Sequence, residues 1–110
     1  MNTLIESVIE IYENRTLLVY ASPPKADGVP IFSVKPYFDK ATAEDSEREV
    51  PEFIRDRVRI INGNEFVNQM IAYCSQKKMS VVVNFFRLDR SFIGVRFTYN
   101  SGDIEFDYLN

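Results

Sequence analysis

The chain has 110 residues, a common size for one domain, and 45% of them are hydrophobic. One packed core is therefore expected, and disorder of the whole chain is excluded. The formal net charge of −3 argues against nucleic-acid binding and leans toward a basic partner. The single cysteine, Cys74, excludes an internal disulfide, and glutamates interrupt the apolar pattern of residues 1–15. We therefore expect a cytoplasmic protein with neither a signal peptide nor a membrane span.

The first half of the chain predicts a helix, two strands and a loop. Apolar side chains recur at helical spacing over residues 4–12 and predict an amphipathic helix. Residues 16–22 and 31–38 predict strands, and Pro36 marks the second one as an edge or a strand end. Residues 39–50 are polar and mostly acidic, which predicts an exposed acidic loop.

The second half predicts two helices and three strands. Pro51 suits the first turn of a short helix over residues 51–58, packed through Phe53, Ile54 and Val58. Asn64 is expected to cap a helix over residues 65–77, and strands follow at 80–88, 92–99 and 103–109. The whole chain, 1–110, thus predicts one α+β domain of order α-β-β-α-α-β-β-β. It has an antiparallel sheet of about five strands with two main helices and a short third helix on one face.

The last hairpin has a predictable register. A two-residue turn at Ser101-Gly102 places aromatic and aliphatic residues opposite each other, and a cation opposite an anion. The predicted pairs are Tyr99 with Ile104, Phe97 with Phe106, Val95 with Tyr108, Arg96 with Asp107, and Thr98 with Glu105.

The preceding hairpin leaves two registers open. A three-residue loop (residues 89–91) pairs Phe85 with Val95 and Val83 with Phe97, all toward the core. An apolar outer patch would then consist of Phe86, Leu88 and Phe92. A two-residue loop shifts the register by one residue and reverses these faces.

The chain lacks the residues that several kinds of catalytic and metal-binding site require. The chain has no histidine, which excludes Ser/His and Cys/His triads and removes the commonest transition-metal ligand. Cys74 falls on the apolar stripe of its helix and is expected to be structural. Asp103, Glu105 and Asp107 alternate along a strand, which predicts a solvated face and no metal site. No cofactor is expected, and an enzymatic role is disfavoured.

The charged stretch over residues 42–60 has two interpretations. Its acidic part contains Glu44, Asp45, Glu47, Glu49 and Glu52, and its basic part contains Arg55, Arg57 and Arg59. One interpretation is a solvated segment with local ion pairs. The other is a docking surface for a basic partner, because such charges raise association rates and select partners.

These observations favour a non-enzymatic protein-binding module. By analogy of size and composition, the leading hypothesis is a small acidic inhibitor or immunity-type protein that neutralises a basic partner such as a toxin nuclease. One alternative is a subunit or chaperone of a larger bacterial assembly, and a homodimer stays open. Another is a small-ligand binder or a histidine-free enzyme whose pocket uses Arg96, Tyr99 or Arg87.

Overall fold

The computed structural model describes residues 3–26 and 28–109, which form one α+β domain around a single sheet. The helices are α1 (Thr3–Glu13), α2 (Lys40–Glu47) and α3 (Gly63–Lys77), and a 3₁₀ helix spans Glu52–Arg57. The strands are β1 (Thr16–Ala21), β2 (Ile31–Tyr37), β3 (Val58–Asn62), β4 (Ser80–Phe86), β5 (Phe92–Asn100) and β6 (Asp103–Tyr108). Within the described ranges, no helix is long and apolar enough to cross a lipid bilayer.

The sheet is mixed, with the strand order β3-β1-β2-β4-β5-β6. Neighbouring strands are antiparallel except β2 and β4, which run parallel with Val34 opposite Phe85. The expected α+β class is therefore confirmed. The expected antiparallel sheet of about five strands is roughly right: the sheet has six strands, and one of its pairings is parallel.

The missed strand β3 explains both differences. The predicted helix over residues 51–58 is a 3₁₀ helix that ends at Arg57, and the chain then pairs with β1 so that Ile61 lies opposite Leu17. β2 and β3 both run antiparallel to β1, and α3 is a crossover that returns the chain from the end of β3 to the starting end of a strand in the same direction. β4 therefore lies on the remaining side of β2 and runs parallel to it. Five residues that include Arg59 are too short and too mixed to give a clear strand pattern.

The register of the last hairpin is confirmed. Phe97 lies opposite Phe106 and Arg96 lies opposite Asp107, as cross-strand energetics favour. The turn residues have positive φ angles, 52° at Ser101 and 97° at Gly102, as a type I′ turn requires.

The hairpin between β4 and β5 differs from both registers considered for it. Its connection spans residues 87–91, and Val83 lies opposite Val95. The longer connection is held by a hydrogen bond from Arg87 N–H to Ser91 O (2.8 Å). This register differs by two residues from the three-residue alternative, so the faces are those of that alternative. The core-facing side chains Val83, Phe85, Val95 and Phe97 are all fully buried.

Helices cover both faces of the sheet. α1 and α3, the two main helices, pack on the face that carries Leu17 and Val19, as expected. Leu18 points to the opposite face and is also fully buried, and α2 contacts β1, β2 and β3. The buried side chains of Ala43 and Val50 lie outside the main core cluster. α2 therefore covers the second face over these three strands, so the expectation of helices on one face holds for α1 and α3 but not for α2.

The expected loop over residues 39–50 is wrong as a loop, although the segment is largely exposed. Asp39 caps α2 by accepting hydrogen bonds from Thr42 N–H (2.8 Å) and from the Thr42 hydroxyl (2.7 Å). Ala41 and Ala43 favour the helical conformation, and Ala43 anchors it in the fold. A short polar helix with one buried side chain gives little apolar periodicity in the sequence.

Gly63 brings the start of α3 against the end of α1. The cap of α3 is Asn62, two residues before the expected Asn64, and its side chain accepts hydrogen bonds from the backbone N–H groups of the next turn. Gly63 N–H donates to Arg15 O at 2.8 Å. A Cβ atom on Gly63 would lie 2.9 Å from the same oxygen and would overlap Tyr12 O. This contact between the two helices therefore requires glycine.

Replacing Gly63 by alanine should destabilise the fold by about 3 kcal/mol, because backbone atoms of α1 cannot move aside as a flexible side chain can. The matched control is Gly94→Ala, where the nearest atom to a new Cβ is the end of the Leu109 side chain at 3.1 Å. That variant should lose about 1 kcal/mol or less. Urea denaturation of both variants measures the difference. Equal losses would show that the close approach at Gly63 does not limit the fold.

Candidate functional site

The acidic part of the charged stretch is displayed on α2 and on the residues that follow it. We call Glu44, Asp45, Glu47, Glu49 and Glu52 the acidic surface. Four of these side chains are exposed, and Glu47 is half-buried. Asp45 forms an ion pair with Arg48 at 2.7 Å, which is a weak surface pair. The five acidic residues predicted as a partner site are therefore accessible on one ordered segment.

The basic part of the stretch has a structural task. Arg55 donates hydrogen bonds to the carbonyls of Val50 (2.7 Å) and Arg48 (3.3 Å), which ties the 3₁₀ helix to the end of α2. Arg57 donates to Ala21 O at 3.2 Å, at the end of β1. These cations are thus held by carbonyl oxygens while the neighbouring carboxylates face solvent.

Phe53 is the site residue that sequence reasoning missed. Its expected place was the core, because it precedes Ile54 and Val58 at spacings that suit a helix packed on one side. In the structure its side chain is 82% exposed, between the exposed residues Glu52 and Asp56. The 3₁₀ helix gives way to β3 at Val58, so the faces differ from those of an α-helix continuing through that position.

The predicted apolar strand face of Phe86, Leu88 and Phe92 is divided, with two residues on the strands and Leu88 in the loop between them. Phe86 and Phe92 pair across β4 and β5 on the outer face, and their rings stack with centroids 5.0 Å apart. Leu88 lies in the following loop, is 97% exposed, and lines a hollow together with Phe86. Three cations also line this hollow, namely Lys35, Arg87 and Arg90.

A second cleft of about 790 Å³ opens at the end of the sheet where β2 and β4 end and β5 begins. Val8 and Tyr12 of α1 form one wall, and Ile93 of β5 contributes to another. Three exposed side chains stand around it, Ile11 (54% exposed), Phe38 (85%) and Leu88 (97%). We call this feature the apolar cleft. Its residues come from five separate parts of the chain, which is why no local pattern predicted it.

Two arginines are the charged groups of interest in the apolar cleft. The Arg15 guanidinium lies over the Phe38 ring, 4.7 Å from its centroid. Arg87 lies in the loop after β4, and in the described part of the chain neither arginine forms an ion pair with a carboxylate. Asp89 lines the cleft as well, so two cations stand there against one carboxylate. The side chain and the backbone N–H of Ser91 both donate to Asp89 and lower the pKa of its carboxyl, and the charge of Arg87 lowers that pKa further.

Tyr12 closes the inner wall of the cleft. Its hydroxyl donates a hydrogen bond to Phe86 O at 2.5 Å and so joins α1 to the end of β4. Burial raises the pKa of the Tyr12 hydroxyl, and the charge of Arg87 opposes that rise. Tyr12 therefore remains a neutral donor, and the positive field of Arg87 reaches the inside of the cleft.

The residues suggested for an Arg/Tyr pocket do not lie together. Arg87 lines the apolar cleft, whereas Arg96 lies on the outer face of β5 opposite Asp107. Tyr99 lies beneath the Lys78 ammonium, with 4.4 Å between the nitrogen and the ring centroid. A pocket built from all three side chains is therefore absent from the described structure.

Cys74 is buried in the core, and the acidic residues of β6 face solvent. The Cys74 thiol is fully buried and lies 3.6 Å from Phe97 O, and burial raises the pKa of the thiol. Asp103, Glu105 and Asp107 are exposed on the outer face of β6. Across residues 3–26 and 28–109, no three side chains of the metal-binding types cluster as a metal site would require.

Comparison of the chain with protein-family models, with curated proteins and with solved structures gives no match. Functional roles must therefore be argued from the geometry of the acidic surface and of the apolar cleft.

The cap of α2 should make the helix sensitive to acid. Hydrogen bonds from Thr42 N–H and then from its hydroxyl lower the pKa of Asp39, so the folded helix favours the carboxylate. This contribution to stability is present above the unfolded pKa and is lost as pH falls below about 4, through the folded pKa. Protection factors from amide hydrogen exchange at residues 44–47 should fall over this range.

Asp39→Asn is the control, because asparagine caps helices without a titrating group. In that variant the protection factors of residues 44–47 should change between neutral pH and about pH 3 no more than the protection factors of the sheet residues do. An identical acid-induced loss in both proteins would assign the effect to other groups.

Proposed function

We propose that this protein is a non-enzymatic, cytoplasmic protein-binding module whose acidic surface binds a basic partner. The observation that carries the proposal is the exposed Phe53 ring, which stands between carboxylates on the 3₁₀ helix that follows α2. Aromatic residues are enriched in the cores of protein interfaces relative to the rest of the surface. In this arrangement Phe53 supplies the anchor and the acidic surface supplies attraction over distance.

The charges of α2 support a role in binding. A helix is stabilised by anions near its start and by cations near its end. Asp39 at the N-cap and Arg48 at the C-cap of α2 follow this rule, but Glu44, Asp45 and Glu47 lie toward its C-terminal end and do not. Because these carboxylates oppose the helix dipole, helix stability does not explain their presence. Attraction of a positively charged partner does.

The acidic surface is held in shape before any partner arrives. Ala43 and Val50 are buried, and Arg55 fixes the connection between α2 and the 3₁₀ helix through two carbonyl groups. A preformed surface loses less conformational entropy on binding than a mobile loop would. Fast and tight capture of a partner is thereby favoured.

The inhibitor or immunity-type role is the most specific form of this proposal. A nuclease presents a cationic surface to its substrate, and a small acidic protein can cover that surface after electrostatically accelerated encounter. The net charge of −3 and the accessible carboxylates of α2 support this form.

The stacked pair on the outer sheet face favours a second candidate, a subunit of a larger bacterial assembly or a homodimer. Phe92 is 54% exposed although it stacks on Phe86, so the pair offers an apolar contact that α2 does not cover. Sedimentation equilibrium separates the candidates: self-association that Phe92→Ser abolishes supports the assembly role, and a monomer at all concentrations opposes a homodimer.

The acidic surface can be tested by charge reversal. The partner is first captured from a lysate of the source organism at low salt and identified by mass spectrometry. Glu44→Lys/Asp45→Lys/Glu47→Lys should then slow association by about tenfold or more at low salt and weaken the salt dependence of the on-rate. Surface plasmon resonance measures both quantities.

The matched control places the same charge change on α1, at Glu6, Glu10 and Glu13, which have the same exposure classes as the test set. Phe53→Ala should leave the on-rate nearly unchanged and raise the dissociation rate roughly 30-fold, as for an interface anchor. Equal slowing by the α1 and α2 variants would show that net charge alone sets the on-rate and that the acidic surface has no specific role. An unchanged dissociation rate for Phe53→Ala would contradict the proposed anchor.

A further inference from the structure

We infer that the apolar cleft is a binding site for a small amphipathic carboxylate, an elongated apolar molecule with one anionic end. This site is separate from the acidic surface and goes beyond the proposed protein binding. It combines a concave apolar interior with two arginines against the single carboxylate of Asp89, and within the described structure neither arginine forms an ion pair.

The size and lining of the cleft suit a small molecule. Its volume of about 790 Å³ lies within the range of small-ligand pockets, which are mainly apolar and carry a few polar groups. Val8 and Ile93 offer aliphatic contacts, and the carbon face of Tyr12 offers an aromatic one. The Tyr12 hydroxyl is already bonded to Phe86 O, so the interior presents little unsatisfied polarity to an apolar chain.

The charges specify an anion at one end of the ligand. Arg15 is held over Phe38, which fixes the guanidinium beside the opening without neutralising it. Arg87 and Asp89 both line the cleft from the loop that follows β4, and Asp89 accepts a hydrogen bond from the Ser91 hydroxyl, so the charged lining keeps an excess of one positive charge. A guanidinium group binds a carboxylate through paired hydrogen bonds, which are stronger than neutral ones.

The exposed rim indicates how the site gains affinity. Leu88 is 97% exposed and Phe38 is 85% exposed, yet both line the cleft. An apolar chain seated between them would remove part of these side chains from water, at about 25 cal/mol per Å² of apolar area. An acidic head group alone would gain none of this, so the apolar chain and the charge are both required.

The experiment uses dodecanoate as the probe and dodecanol as its uncharged analogue, both below the concentrations at which they self-associate. Isothermal titration calorimetry should show saturable, one-to-one binding of dodecanoate that is about tenfold tighter than binding of dodecanol. Amide chemical-shift changes should centre on α1 near Val8, on the loop of residues 87–91, and on Ile93.

Arg15→Gln/Arg87→Gln should weaken dodecanoate binding by about tenfold and leave dodecanol binding nearly unchanged. The matched control, Lys35→Gln/Arg90→Gln, removes two cations that line the neighbouring hollow and should change dodecanoate affinity by no more than about twofold. Circular dichroism confirms that both variants are folded. The inference is overturned by non-saturable binding, by equal affinity for dodecanol, by equal loss in the control variant, or by shifts that map elsewhere.

Discussion

The close approach of α3 to the end of α1 is the constraint on which the rest of the structure depends. Gly63 N–H bonds Arg15 O at 2.8 Å, and there is no room for a Cβ atom between the two helices. This contact holds the chain between the last turn of α1 and the first residue of β1 against the start of α3. It thereby sets Tyr12 against β4 and holds Arg15 beside Phe38, which together shape one wall of the apolar cleft.

The two charge blocks that adjoin in the sequence have different physical tasks. Arg55 and Arg57 satisfy backbone carbonyls at the end of α2 and at the end of β1, so their charge strengthens hydrogen bonds within the fold. The carboxylates on α2 oppose the helix dipole and face solvent. The basic residues thus hold the segment in place through hydrogen bonds to carbonyl groups, and the acidic residues of the same segment remain exposed to solvent.

Sequence reasoning succeeded where a local pattern decides the structure and failed where distant contacts decide it. The alternation along β5 and β6 fixed their register, because a shift of one residue would expose Phe97 and bury Arg96. β3 was missed because five residues interrupted by Arg59 become a strand only beside β1. Phe53 was assigned to the core because a helix was expected to continue through Val58, whereas the chain there becomes β3. The acidic residues were identifiable from composition alone, whereas the apolar cleft joins Arg15 and Arg87, which no sequence spacing relates.

α2 connects the two proposed sites. Its first turn contributes Thr42 to the lining of the apolar cleft, and its later residues carry Glu44, Asp45 and Glu47. Both features therefore depend on the Asp39 cap, which holds the first turn of a helix whose later carboxylates oppose its dipole. A ligand that contacts the first turn would stabilise α2 and, by linkage, the acidic surface. Both proposed sites use this helix, so occupation of the cleft would add to the stability of an acidic surface that is already formed.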